Sequence, residues 1–92
     1  MKPLELTGLF RSRVRSYPKA TRRKIGAALQ QLEQEFGHPH AHQGLGIRRL
    51  AGNYYEIRAG LDLRLLFQNR PESLLFLTAG NHDEIQKFLH SS

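Results

Sequence analysis

A chain of 92 residues with a net charge of +6 and no cysteine reads as a single domain over residues 1–92 that folds without disulfide staples. A reducing compartment is the default for such a chain, and no apolar run approaches a membrane span or signal-peptide core, so the cytoplasm is the expected location. The charge is uneven: no acid falls between Glu5 and Glu33, whereas Arg11, Arg13, Arg15, Lys19, Arg22, Arg23 and Lys24 all fall inside that gap. A basic block of this kind suits a polyanion or an acidic protein partner, and the plainer alternative is a solvated helix face.

Leu4-Glu5-Leu6 can open the fold as a short strand. Thr7 or Gly8 then starts a helix that carries Leu9, Phe10 and Val14 inward, and Tyr17-Pro18 breaks it because proline removes a donor and restricts its predecessor. A longer helix is predicted from Lys19 to Phe36, with Ile25, Ala28, Leu29, Leu32 and Phe36 recurring at helical spacing and Gly37 placed to end it. His38 to Gly46 is a loop by composition. Strands follow at Ile47–Leu50, Tyr54–Ala59, Leu63–Gln68 and Leu74–Ala79, joined by turns short enough for antiparallel neighbours. Asn81 has the character of an N-cap, with Glu84 in place to reciprocate, for a last helix through Ile85, Phe88 and Leu89. The pattern is α+β: two N-terminal helices on a mostly antiparallel sheet of four to five strands, closed by a short C-terminal helix.

Period-two alternation sets Tyr54, Glu56 and Arg58 on one face and Tyr55, Ile57 and Ala59 on the other. If Gly60-Leu61-Asp62 forms a three-residue loop, Arg58 lies directly across from Arg64. Like charges so placed destabilise a sheet, and an anion between them, a carboxylate or a phosphate, removes the conflict. The plainer reading pairs these arginines with Glu56 or Asp62. His82 closes the last strand in this reading and is the best acid–base candidate, since a histidine titrates near neutrality; its plainer role is support of a helix start. Of the two tyrosines, one belongs to the core and the other can stack on a base. His38, His40 and His42 invite a metal, but no cysteine or placed carboxylate completes a site. Asp83 and Glu84 suit the N-terminal end of a helix dipole. Gly-rich phosphate loops, nucleophile elbows and zinc-finger spacings are missing from the sequence.

Gly46-Ile47-Arg48-Arg49-Leu50, Tyr55-Glu56-Ile57-Arg58-Ala59-Gly60, Leu63-Arg64-Leu65-Leu66-Phe67 and Gly80-Asn81-His82-Asp83-Glu84-Ile85, with the order of elements, resemble the RelE/ParE superfamily of toxins from type II toxin–antitoxin systems. The resemblance spans nearly the whole chain, and it implies an endoribonuclease that cuts mRNA, commonly in the ribosome. Such an enzyme uses the ribose 2′-hydroxyl as nucleophile, leaves a cyclic phosphate, and needs no metal or cofactor. By matched positions, Arg58 and Arg64 would hold the scissile phosphate, His82 would be the acid, and Glu56 would be the base or else neutralise an arginine. Arg48 and Arg49 would grip the RNA backbone, with Tyr54 and Lys87 beside them. Arg15, Arg22 and Arg23 would meet an acidic or partly disordered antitoxin. The chain departs from the family in its C-terminal Phe88-Leu89-His90-Ser91-Ser92, where several nucleases carry a tyrosine or an extra base. A ParE-like inhibitor of DNA gyrase and a non-catalytic module binding antitoxin or nucleic acid are the alternatives.

Overall fold

Helical and period-two spacing sort the apolar side chains so that one sheet is covered on both sides. In the computed structural model, which describes residues 2–36 and 46–91, the order is β1 (Leu4–Leu6), α1 (Gly8–Arg15), α2 (Lys19–Glu35), β2 (Arg48–Ala51), β3 (Tyr54–Arg58), β4 (Arg64–Asn69), β5 (Leu74–Gly80) and α3 (His82–Ser91). The sheet has five strands in the order β1-β5-β4-β3-β2; β1 runs parallel to β5 and every other pairing is antiparallel. The fold is thus the α+β arrangement read from the sequence, and no helix among the described residues is long and apolar enough to cross a membrane.

Local chemistry accounts for the helix ends. Thr7 caps α1, its Oγ1 accepting from the Phe10 N–H at 3.1 Å. Pro18 precedes α2, where the first helical amides have no intrahelical acceptor and the missing N–H of proline costs nothing. Phe36, predicted as the last helical residue, is the extended C-cap instead, and its ring meets Tyr55 and Phe67 edge-on at 5.9 and 5.7 Å. Gly37 and the histidines at 38, 40 and 42 lie outside the described residues.

Phe10 of α1 and Ile25, Ala28 and Leu32 of α2 pack against Ile57, Leu65, Phe67, Leu74 and Phe76 of the sheet. Phe67 is the hub, in ring contact with Phe36, Tyr55 and Phe76. Leu66 and Ile85 are equally buried but stand outside this cluster, on the side where α3 packs against β4 and β5. Leu9 corrects an expectation: predicted to point inward, it is 49% exposed. Adjacent helical residues diverge by about 100°, so with Phe10 and Val14 facing the core, Leu9 falls on the flank. There it lines a shallow groove with Phe88 of α3.

Replacing Phe67 by alanine removes a large buried ring from the centre of that cluster. We expect a loss of about 3–5 kcal/mol in urea denaturation. Tyr54→Ala, on the half-exposed opposite face, is expected to cost about 1 kcal/mol or less.

Candidate functional site

The hairpin of β3 and β4 sets the site. Ala59 N–H donates to the Leu63 carbonyl at 2.9 Å, closing a loop of Gly60, Leu61 and Asp62. Gly60 supplies the positive φ, 147°, that the loop requires. Counting outward from that closure, Arg58 stands directly opposite Arg64, as alternation and loop length demand. On the same face Arg48 of β2 stands opposite Glu56, and Glu56 stands opposite Leu66. Three arginines and one carboxylate therefore share this patch of sheet, on the side away from the aromatic core.

Their environments differ. Glu56 is 1% exposed, and its Oε2 accepts from Arg64 Nη1 at 2.8 Å. Arg64 is mostly covered, with a side chain 17% exposed. Glu56 Oε1 and Arg64 Nε are both enclosed and have no hydrogen-bond partner among the described residues. The pair is thus joined by a single hydrogen bond rather than the two-pronged fork that arginine and carboxylate can form. Arg58 is exposed, and among the described residues nothing accepts a hydrogen bond from it. Its aliphatic stem runs beside Gly46, which has φ 62°; a Cβ there would stand 3.4 Å from Arg58 Cγ and Cδ. Gly46 opens the first of the motifs quoted above, and nothing in the sequence pointed to its closeness to Arg58.

The histidine follows β5. Arg64 stands opposite Gly80, and Asn81 then caps α3, so His82 is the first helical residue and not, as expected, the end of the strand. The strand stops because the reciprocal cap intervenes: Glu84 N–H donates to Asn81 Oδ1, and Asn81 N–H donates to Glu84 Oε1, each at 2.9 Å. Glu84 also takes a 2.8 Å hydrogen bond from Arg13 Nη2, while Arg13 Nε donates to the Ala79 carbonyl. α1 is thereby clamped to the turn that presents His82. Gly80 is part of the device, since a Cβ there would come within 2.9 Å of Glu84 Cβ. These hydrogen bonds, the backbone one first, hold the Glu84 carboxyl below its ordinary range.

The remaining candidates divide. Tyr54 shares the arginine face, whereas Tyr55 stacks on Phe67 in the core. Arg48 and Arg49 are separated by alternation: Arg49 stands opposite Tyr55, and its Nε is committed to the Gly52 carbonyl at 2.8 Å. Lys87 lines the α1–α3 groove beside Leu9 and Arg13. Arg15 and Arg22, with Arg11, rim an apolar groove between α1 and α2 floored by Leu6, Phe10, Val14, Ile25 and Leu29. Arg23 is exposed on α2 and does not line that groove. No cluster of histidine, cysteine and acidic groups able to hold a metal occurs among the described residues.

Solved structures share this architecture. A chain of the RelB–RelE antitoxin–toxin complex of Methanococcus jannaschii superposes with a TM-score of 0.72 at 16% identity, over 92% of this chain and 98% of that one. A chain of the archaeal RelE–RelB complex of Pyrococcus horikoshii gives 0.71 at 19% identity, over 87% and 93%. YafQ of Escherichia coli gives 0.69 at 16% identity, over 92% and 98%. The fold is RelE-like. No family model matches the sequence, and no curated protein matches it.

Two outcomes follow from this geometry. Arg64→Ala strands a buried carboxylate and is expected to cost about 3 kcal/mol, whereas Arg58→Ala, at an exposed position, is expected to stay within about 0.5 kcal/mol; denaturant titration separates them. Glu84 has a carboxyl lowered in the folded state, so its contribution is present above the ordinary value of 4.5 and is lost as pH falls through the folded value. The stability gap between the wild type and Glu84→Gln should therefore narrow from pH 7 to pH 3.

Proposed function

We propose that this chain is the toxin of a type II toxin–antitoxin system and cleaves mRNA with the arginine face of β3 and β4. The observation that carries the reading is the direct opposition of Arg58 and Arg64 beside Arg48, with one carboxylate among them. That face keeps an excess of positive charge which a phosphate would neutralise. Guanidinium groups suit it because their planar forks match phosphate oxygens, and their stabilisation is greatest on the doubly charged phosphorane.

In this reading Arg58 and Arg64 hold the scissile phosphate while the adjacent 2′-hydroxyl gives up its proton to solvent water and attacks phosphorus, expelling the 5′ oxygen. His82, at the start of α3 beyond Gly80, donates a proton to the departing 5′ oxygen. Arg48 and Tyr54 extend the face along the RNA. The RelE-like fold supports this reading, as do solved neighbours that are chains of antitoxin–toxin complexes. A cognate antitoxin follows from the hazard of an unrestrained nuclease. Its acidic, amphipathic segment would lie in the apolar groove rimmed by Arg11, Arg15 and Arg22, which lies within a stretch devoid of acids.

Arg58 is the cleaner probe of the site, because its removal leaves the buried pair intact. Inducible expression of the wild type and of Arg58→Ala in a bacterial host, with primer extension on cellular mRNA, tests the proposal. We expect growth arrest with new message ends in the wild type, and loss of both in a folded Arg58→Ala. Arrest with a DNA-damage response and no new ends would replace this reading with gyrase inhibition. A folded, expressed wild type that neither arrests growth nor cuts RNA would leave a binding module.

A further inference from the structure

Two like charges on facing strands tend to splay, and each arginine has a long flexible stem along which to do so. Arg64 is anchored by a carboxylate two residues along β3 from Arg58. Its guanidinium is held on the inner side by the Glu56 carboxylate at 2.8 Å, and its Nε is enclosed. The Arg64 side chain keeps 17% exposure for a ligand, and Arg58, opposite it in register, is exposed. Glu56 itself is 1% exposed, with one oxygen bonded to Arg64 and the other enclosed. A general base must come within hydrogen-bond reach of the hydroxyl it deprotonates, and this carboxylate offers no accessible oxygen.

We infer that Glu56 is a positioning residue: it holds the Arg64 guanidinium in place against repulsion from Arg58, and it does not take the nucleophile's proton. The inference rests on the proposed phosphate site. It divides the labour between the arginines: Arg64 is the anchored member that sets where the phosphate lies, and Arg58 is the exposed member opposite it. Glu56 is the counter-ion that makes this division possible. Removing one partner of a buried charge pair leaves the other uncompensated, so Arg64 and Glu56 depend on each other.

The test has two arms. The first needs no RNA: side-chain NMR of the wild type, and of Glu56→Gln, reads the Arg64 guanidinium. We expect hindered rotation in the wild type, seen as separate Nη signals, and a merged signal in Glu56→Gln, whose neutral amide holds the group less firmly. A merged, freely rotating signal in the wild type would overturn the inference without any appeal to activity. The second arm measures cleavage of a short RNA against pH. A positioning role predicts that Glu56→Gln raises KM and lowers the rate by about tenfold or less with the shape of the pH profile unchanged. A loss of 10²–10⁴-fold, together with a change in the acidic limb, would make Glu56 the base and overturn the assignment. If the wild type cuts no RNA, the proposed function fails while the first arm still decides whether Glu56 fixes Arg64.

Discussion

Arg58 and Arg64 face each other across adjacent strands with one buried carboxylate to hold the second of them, and the organisation of the site depends on that arrangement. The loop of Gly60, Leu61 and Asp62 imposes it by register, and burial beneath the sheet surface stabilises it on one side only. A neutral or apolar pair at these positions would satisfy the hairpin equally well. The charge is therefore a feature retained against the local preference of the sheet, the kind of conflict between local and global consistency that marks functional positions.

The rest of the fold supports that patch from two directions. The aromatic core around Phe67 fixes β3 and β4 from the side of α1 and α2. On the other side α3 packs against β4 and β5, and the Asn81–Glu84 cap with Arg13 of α1 determines where that helix begins. His82 owes its location to this clamp rather than to the strand before it. Arg13 joins the first helix to the last, so the basic N-terminal block also ties elements of the fold together at the surface.

Much of this could be read directly from residue spacing. Alternation separated Tyr54, Glu56 and Arg58 from Tyr55, Ile57 and Ala59, and a three-residue loop then left one register for Arg64. Ile25, Ala28 and Leu32 at helical spacing marked the buried stripe of α2. The features that escaped depend on contacts between distant segments. Leu65-Leu66-Phe67 is a continuous apolar run, and alternation sends Leu66 to the face opposite its neighbours without saying that this second face is buried as well. Leu9 misled because the flank it occupies is defined by α3, far along the chain. The Arg13–Glu84 bond joins residues 71 apart and has no periodic signature. Alternation sends Arg48 and Arg49 to opposite faces, yet only the pairing of β2 with β3 shows that Arg48 is the one on the Glu56 face. Glu56 was legible as a neighbour of the arginines, but its burial was not, because alternation alone does not say how deeply the second face is covered.

The proposed function stands or falls on whether an RNA phosphate is taken between Arg58 and Arg64. The most direct measurement follows the arginine side-chain NMR signals during titration with a short RNA made uncleavable by 2′-O-methylation. The Arg58 and Arg64 guanidinium signals are expected to move together and to saturate at the same RNA concentration, with Arg48 following. Shifts confined to Arg11, Arg15 and Arg22 on the helices, with the β3–β4 arginines unmoved, would contradict it.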